Sequence, residues 1–214
     1  YMTGTARADK ETEEVSGDNF AYFEADDGNF TMVLSDGMGS GENACRDSEA
    51  VADMTEAMLE AGLPLEMAVQ LVNSAVASEG REENMPTLDL CSVDLCEGSC
   101  RFMKTGAAVS FIKRGSIVEK IDGGTFPLGA FGYAQAKPAE CQLMDGDYII
   151  MLSDGMTEGW PDGDGESKLE SMIGRIGAVS PGELANSIMK YAIEQCQGRI
   201  RDDMTVLTAG IWER

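Results

Sequence analysis

Histidine is absent from the 214 residues of this chain. Its absence excludes Ser-His-Asp and Cys-His catalysis, zinc-protease helices and phosphatase sites whose metals are held by histidine. Six cysteines are present, but no two of them form a CxxC pair and none is followed six positions later by arginine. The sequence therefore also lacks the phosphate-binding cysteine loop of tyrosine phosphatases, and we expect reduced, mostly buried thiols.

Basic residues are scarce: 16 lysines and arginines stand against 38 acidic residues, which gives a formal charge of −22. This charge argues against nucleic acid or an anionic membrane surface as a partner. It would also repel a phosphorylated substrate unless a bound cation reversed the local field. Acidity of this kind is also a common source of solubility, so the charge alone does not define a function.

Long hydrophobic runs are missing too. No apolar stretch approaches the ~20 residues that a membrane span needs, and no segment resembles a signal peptide. We therefore expect a cytoplasmic domain. Because the chain begins at Tyr1 rather than at methionine, we interpret residues 1–214 as a single domain from the C-terminal part of a longer protein, whose remainder could carry a membrane anchor.

One motif occurs twice. TMVLSDGMGSG occupies residues 31–41 and YIIMLSDGMTEG occupies residues 148–159, with the two aspartates 118 positions apart. In each copy Ser-Asp-Gly interrupts an apolar strand pattern, so Asp36 and Asp154 should project their carboxylates just past a strand end. Gly37 would let a cation held by Asp36 also reach its carbonyl oxygen. Either copy alone could be a simple turn, but two copies after matched strands favour a shared site.

Two further acidic points flank strands. Asp18 precedes the strand pattern FAYFEAD, and a hairpin turn at residues 26–29 would place Asp18 and Asp36 on one antiparallel pair. Asp202 and Asp203 precede the last strand, which contains VLTAGIW. Carboxylate oxygens without softer ligands suit Mg²⁺ or Mn²⁺ rather than zinc or copper. Two such ions would lower the pKa of a bound water and bind phosphoryl oxygens, so histidine would not be needed.

The rest of the chain alternates between helical and strand patterns. Apolar spacing predicts a helical hairpin over residues 43–78 and a meander of short strands over residues 87–124. Within the meander Asp89 alternates with apolar residues and should face solvent. A capping box that begins at Ser180, with proline at the first helical position, predicts another helix.

Five segments in this order, SGDN, SDGMGSG, FMKTGAA, LSDGMTEG and RDDMTV, resemble the PPM family of metal-dependent protein phosphatases, typified by protein phosphatase 2C. Within that family the chain resembles the phosphatase domain of stage II sporulation protein E, over nearly its whole length. The resemblance implies an α/β (α+β) fold in which two antiparallel β-sheets form a sandwich flanked by antiparallel helix pairs. It also implies a serine/threonine phosphatase that uses two Mn²⁺ or Mg²⁺ ions.

The resemblance implies roles for individual residues as well. Asp36 would bridge two metals, the Gly37 carbonyl would ligate one of them, and Asp154 with Asp202 would complete the other. Asp18 would join directly or through water. Asp36 and Asp154 would then act in catalysis through metal-bound water. Either Asp202 or Asp203 could supply the last ligand. The implied metal ligands are therefore Asp18, Asp36, Gly37, Asp154, Asp202 and Asp203.

The sequence departs from the family where substrate phosphate is held. Many animal members carry Glu-Asp at the first motif and, shortly before it, an arginine that contacts phosphate. Here Gly17 precedes Asp18, and Glu13 stands where the arginine would fall. Arg7 and Lys10 are the substitutes that the sequence offers.

Two hypotheses about function compete. The first is hydrolysis of a phosphoserine or phosphothreonine protein, for which the resemblance implies an anti-anti-sigma factor in sporulation or stress signalling. The second is a catalytically weak module of the same fold that binds a phosphoprotein or a regulatory partner. A nucleotide site on Gly37, Gly39 and Gly41 lacks the lysine of a P-loop. Few residues join the helical hairpin to Asp36, so we expect regulation by a partner or the absent N-terminal region; the alternative is a rigid hairpin.

Overall fold

The computed structural model describes residues 1–11, 15–25, 27–39, 41–78, 85–122, 126–134, 136, 138–158, 160 and 163–213. The chain divides into two compact units, each formed from separate stretches of sequence. The first unit comprises Tyr1–Glu14, Ala108–Asp122 and Leu143–Arg214, and the second comprises Val15–Ala107 and Gly123–Gln142. Each unit has its own sheet. That the two units form a single domain stays a prediction.

The described residues form ten strands and four helices. The strands are β1 (Met2–Ala8), β2 (Asp18–Glu24), β3 (Phe30–Asp36), β4 (Leu88–Val93), β5 (Ser99–Thr105), β6 (Ser110–Arg114), β7 (Ile117–Ile121), β8 (Ala139–Gln142), β9 (Tyr148–Leu152) and β10 (Met204–Gly210). The helices are α1 (Glu42–Glu60), α2 (Leu65–Ser78), α3 (Gly165–Arg175) and α4 (Pro181–Gln195). Every strand pair is antiparallel. The predicted α+β class with two antiparallel sheets and helix pairs is confirmed.

The sheet of the second unit has the order β2-β3-β4-β5-β8. Its β2–β3 hairpin is the predicted one: the N–H of Gly28 donates to the carbonyl of Ala25 at 2.8 Å, and Gly28 has a φ of 78°. Glycine adopts such a φ without steric cost. Asp26, in the same predicted turn, lies outside the described residues.

The predicted helical hairpin is formed by α1 and α2. Leu59 near the end of α1 and Leu65 at the start of α2 are both buried, and the N–H of Gly62 donates to the carbonyl of Leu59 in the turn between them. The apolar stripes of both helices pack on one face of the second unit's sheet. The core at this face includes Val33, Val51, Val69, Val72, Leu90 and Met103.

The sheet of the first unit has the order β1-β10-β9-β6-β7. Helix α4 packs on β1 and β10, and α3 packs on β6 and β7. The predicted capping box opens α4: the Ser180 hydroxyl accepts the N–H of Glu183 at 3.3 Å, and the Glu183 carboxylate accepts the N–H of Ser180 at 2.9 Å. The helix therefore begins where the sequence predicted it.

The predicted meander is wrong, because its strands are divided between the two sheets. β4 pairs with β5 in the second unit, whereas β6 pairs with β7 in the first. The chain leaves β5 at Gly106, which has a φ of 64° and whose backbone packs tightly against Pro127. Local alternation identifies strands but not their partners. The pattern also gave no indication of α3 or β8.

The solvent-facing position predicted for Asp89 is wrong as well. Asp89 is 1% exposed, and its carboxylate accepts a hydrogen bond from the ammonium of Lys104, directly opposite on β5. The alternation suggested one buried face, but every residue of β4 is buried. A carboxylate in such a position needs a charged partner, which the next strand supplies.

Two further predictions, buried thiols and the absence of a membrane-spanning segment, can be compared with the structure. All six cysteines are free, as predicted, but only Cys91 and Cys100 are buried, and Cys96 is exposed. The expectation of mostly buried thiols is therefore wrong. No helix formed by the described residues has both the length and the apolar character needed to cross a membrane.

Candidate active site

The first acidic pair is set by the register of the β2–β3 ladder. Asp18 opens β2, Asp36 closes β3, and the two are direct partners across the antiparallel pair. Directly opposite side chains lie on the same face, with Cβ atoms about 4.5–5.5 Å apart. Asp18 is fully buried and Asp36 is half-buried. Two carboxylates in this arrangement repel each other, and a bound cation would relieve the repulsion.

The backbone of Asp36 is held by a residue outside the motif, Thr87. The N–H of Asp36 donates to the Thr87 hydroxyl at 3.1 Å, and the N–H of Thr87 donates to the Asp36 carbonyl at 2.8 Å. The neighbouring Ser35 hydroxyl donates to the Thr87 carbonyl at 2.7 Å. These bonds fix the end of β3, so the Asp36 carboxylate projects from a rigid base.

Gly37 is required by a close approach of the backbone. A Cβ atom at this position would lie 2.1 Å from the carbonyl oxygen of Ala44 in α1, and the N–H of Gly37 donates to the Gly17 carbonyl at 3.1 Å. The start of α1 therefore packs directly against the residue after Asp36. This contact accounts for the glycine whether or not its carbonyl binds a metal, and ligation by that carbonyl stays a prediction.

Helix α1 is also bonded to the segment that carries Asp18. The Ser48 hydroxyl donates to the Gly17 carbonyl at 2.5 Å, and the Asn19 side-chain amide donates to the Cys45 carbonyl at 2.9 Å and to the Ser48 hydroxyl at 2.8 Å. A movement of α1 would therefore strain the backbone on either side of Asp18. The helical hairpin and the first acidic pair are mechanically connected within the second unit.

The second acidic group begins at Asp154, in the first unit. β9 ends at Leu152, and Asp154 starts a 3₁₀ turn that runs to Met156. A Cβ atom on Gly155 would lie 2.2 Å from the carbonyl oxygen of Asp203, so the segment before β10 packs directly on this turn. The Ser153 hydroxyl reinforces the contact by accepting the N–H of Thr205 at 2.9 Å.

Three carboxylates in this group, those of Asp154, Glu158 and Asp202, interact electrostatically. The charge of Asp154, then burial, then Asp202 raise the pKa of Glu158. Burial raises the pKa of Asp202; Asp154 and Asp203 raise it further, while the N–H of Asp203 and the charge of Lys10 oppose the rise. Such mutual repulsion is what a divalent cation would neutralise. Glu158 was missed by sequence analysis, although its position four residues after Asp154 was a signal.

Asp203 differs from its neighbour. Its side chain is buried, and its Oδ1 accepts the N–H of Lys10 at 2.9 Å. Its own N–H donates to Asp202 Oδ1 at 3.0 Å, and Asp202 is exposed. Of the two residues Asp202 is the more exposed, although its carboxyl group is covered enough for burial to raise its pKa. Lys10 therefore lies at this acidic group, whereas Glu13, which marks the missing family arginine, lies outside the described residues.

The predicted ligands are thus divided between the two units. Asp18, Asp36 and Gly37 belong to the second unit, and Asp154, Asp202 and Asp203 belong to the first. Within the described part of the chain, no three Asp, Glu or Cys side chains are grouped so that they could hold a metal ion. The chemistry of the donors nevertheless fits a hard divalent cation, because all of them are oxygens and the acidic side chains of each group repel one another.

Comparison with known proteins identifies the family. Residues 26–211 match the family model described as Stage II sporulation protein E (SpoIIE). This chain belongs to the SpoIIE family. The chain is 35% identical over 208 residues to Stage II sporulation protein E of Priestia megaterium, an alignment that covers 97% of this chain and 36% of that relative. With the SpoIIE protein of Bacillus subtilis (strain 168) the identity is 34% over 210 residues, or 98% of this chain and 25% of the relative.

A solved SpoIIE structure shows which part of the family this chain represents. The structure of the PP2C phosphatase domain and a fragment of the regulatory domain of SpoIIE from Bacillus subtilis superimposes with a TM-score of 0.92 and 33% identity. The match covers 99% of this chain and 62% of that one. The chain therefore corresponds to the PP2C-type phosphatase domain of the SpoIIE family. It spans between 25% and 36% of the length of the two curated relatives.

Proposed function

We propose that this SpoIIE-family chain is a metal-dependent protein phosphatase that hydrolyses phosphoserine or phosphothreonine on a protein substrate. The observation that carries the proposal is a pair of matched strand ends, each with a second carboxylate beside the motif aspartate. Asp18 is registered opposite Asp36, and Asp202 interacts electrostatically with Asp154. The formal charge of −22 would repel a phosphorylated substrate. Cations bound at these acidic sites would reverse the local field and allow the substrate to bind.

Metal dependence is general among PP2C-like phosphatases, and the oxygen donors described above fit Mn²⁺ or Mg²⁺. When bound, two such ions would lower the pKa of a water molecule and neutralise charge on the phosphoryl oxygens. The Asp203 carboxylate accepts the N–H of Lys10, and the N–H of Asp203 donates to Asp202. Asp203 would therefore position Asp202 and would not itself bind the metal ion. The ligands that we assign are Asp18, Asp36, the Gly37 carbonyl, Asp154 and Asp202.

The residues of the chain would supply rigidity and charge. Thr87 holds both backbone polar groups of Asp36, so little reorganisation of that carboxylate accompanies the reaction. Lys10 lies near Asp202, and Arg7 is registered opposite Thr205 on β10. We assign Lys10 and Arg7 to orient the substrate phosphate in place of the family arginine.

The substrate that we propose is a phosphorylated anti-anti-sigma factor. We propose further that a region outside this chain regulates the domain through α1, because α1 packs on Gly37 and bonds to the Gly17 carbonyl. The SpoIIE structure from Bacillus subtilis contains a fragment of a regulatory domain, which supports such a region in this family. In our proposal the domain acts in the cytoplasm, and any membrane attachment belongs to the rest of the protein.

A second candidate function is a module that binds a phosphoprotein without hydrolysing it. It is favoured by one observation: the described residues contain no ready-made group of three ligands in either unit. Such a module would bind phosphoprotein as well in EDTA as in Mn²⁺ and would release no phosphate.

The deciding experiment measures phosphate release from a phosphoserine protein with Mn²⁺, with Mg²⁺ and with excess EDTA. We expect turnover that depends on the cation and is abolished by the chelator. Calorimetric titration with Mn²⁺ alone, on the wild type and on Asp36→Asn, tests the ion site without relying on turnover. Undiminished hydrolysis in excess EDTA would overturn the metal assignment. Phosphoprotein binding that is equal in EDTA and in Mn²⁺, without any phosphate release, would favour the binding module.

A further inference from the structure

The first unit contains a cavity that the candidate active site does not use. Its volume is about 330 Å³, within the usual range for small-molecule sites. The cavity lies where β6 ends and β9 begins, beside the C-terminus of α3, and no candidate metal ligand lines it. Residues that define its character are Lys113, Tyr148, Arg175, Ile176, Ala178 and Trp212.

Lys113 is the unusual member of this lining. Its side chain is 2% exposed, and its ammonium donates a hydrogen bond to the carbonyl of Gly115. Among the described residues, no carboxylate lies within ion-pair distance of Lys113. The nearby acid Asp147 is bonded instead to Arg114, with Nη2 and Oδ2 2.6 Å apart. Burial lowers the pKa of Lys113, which reflects the cost of a charge without a counter-ion.

An ammonium group has three donors, and the Gly115 carbonyl engages one of them. A structural role in holding the β6–β7 turn would need only that one bond, and an uncharged donor could provide it. A lysine at the wall of a cavity, without a carboxylate partner among the described residues, is suited to bind an anionic group.

The remaining walls are apolar and aromatic. Trp212 is 37% exposed, and its ring meets that of Tyr148 edge-on with centroids 5.8 Å apart. The Tyr148 hydroxyl is occupied, because it donates to the Val179 carbonyl at 2.7 Å. Arg175 adds a second cation at the end of α3. The described lining therefore carries two positive charges and no negative one, in a chain whose formal charge is −22.

We propose that this cavity binds a small organic monoanion, a carboxylate with an aromatic or other apolar body. The carboxylate would pair with Lys113, and the body would pack against Trp212 and Tyr148. Of the two cations in the lining, Lys113 is buried and Arg175 is exposed to solvent, so the buried charge balances a single negative charge. This balance favours a carboxylate over a dianionic phosphate group. The proposal is independent of the phosphatase activity, because the cavity and the acidic groups have no residues in common.

The test is calorimetric titration of the chain with benzoate, with benzyl alcohol as a neutral probe of the same shape. We expect saturable binding of benzoate with a dissociation constant in about the millimolar range, and weaker binding of the alcohol. Lys113→Met keeps the unbranched apolar stem of the side chain and removes its charge, so it should weaken benzoate binding about tenfold or more and leave binding of the alcohol unchanged. Circular dichroism checks that the variant is folded.

A second variant keeps the proposal testable if Lys113→Met does not fold. Trp212→Ala removes an exposed wall of the cavity and should weaken both probes alike. Absence of saturable benzoate binding to the wild type would overturn the proposal. Equal affinities for benzoate and benzyl alcohol, or benzoate binding that neither substitution changes, would overturn it as well.

Discussion

The two SDGM strand ends carry the same local sequence, yet the fold supports them differently. In the second unit the partner carboxylate comes from the adjacent strand, since Asp18 and Asp36 are registered across one hairpin. In the first unit the neighbour comes from a distant loop, since Asp202 and Asp203 reach Asp154 through packing on Gly155. The comparison teaches that one motif can acquire its second carboxylate through strand register or through loop packing. The loop arrangement depends more on a single non-local contact.

Loss of the motif aspartate should have the largest effect, and the same effect in both units. Asp36→Asn and Asp154→Asn should each lower the rate of phosphoserine hydrolysis about a thousandfold or more, because a neutral amide binds a divalent cation poorly. Initial rates at saturating Mn²⁺ measure this. Glu194→Gln, which changes an exposed carboxylate on α4, is the matched control and should leave the rate unchanged. A folded Asn variant with the wild-type rate would show that its strand end lies outside the catalytic centre.

The ion pairs Lys104–Asp89 and Arg114–Asp147, one in each unit, should contribute differently to stability. Lys104→Met removes the ammonium that pairs with the buried Asp89 carboxylate and should lower the free energy of unfolding by about 3–5 kcal/mol. Arg114→Met in the first unit should cost less, because the Arg114 side chain is 41% exposed and Asp147 retains the N–H of Met144. Urea unfolding of both variants measures the difference.

The double variant Asp89→Leu with Lys104→Met is the control for this prediction. Without either charge, the strand pair should recover most of the lost stability. Equal losses for Lys104→Met and Arg114→Met would contradict the expected ranking of the two ion pairs.

The two motif glycines should tolerate a methyl group equally badly. Gly37→Ala places a Cβ against the Ala44 carbonyl, and Gly155→Ala places one against the Asp203 carbonyl, so each should lower stability by about 1–3 kcal/mol. Gly182→Ala, in α4, meets nothing within 4 Å and should be neutral or stabilising. Thermal melts of the three variants test this. No loss of stability in Gly37→Ala would mean that α1 can move away from the strand end.

Removal of the Glu158 charge should have the smallest effect on activity, and it tests whether Glu158 helps to bind the ion in the first unit. Glu158→Gln takes away a charge that interacts with Asp154, so the Mn²⁺ concentration for half-maximal rate should rise up to about tenfold. The maximal rate should stay near that of the wild type. A manganese titration measures both quantities, with Glu194→Gln again as control. A fall in maximal rate without a change in the titration midpoint would assign Glu158 to the reaction rather than to the ion.

Much of the candidate site was predictable because its signals are local. The paired SDGM motifs marked two strand ends, and the turn at Gly28 was enough to place Asp18 on the strand beside Asp36. Helix patterns and the capping box at Ser180 were equally local. Each of these depends on the conformational preferences of a few consecutive residues, which the sequence states directly.

The sequence by itself determined where strands and helices form and which carboxylates end them. Only the tertiary structure decided which strands share a sheet, that Asp89 is buried against Lys104, and that Thr87 holds Asp36. It also decided that Lys113 lines a cavity without a carboxylate partner among the described residues. The physical reason is that alternation and helical spacing report what a segment prefers, whereas pairing, burial and charge balance depend on residues that lie far away in the chain.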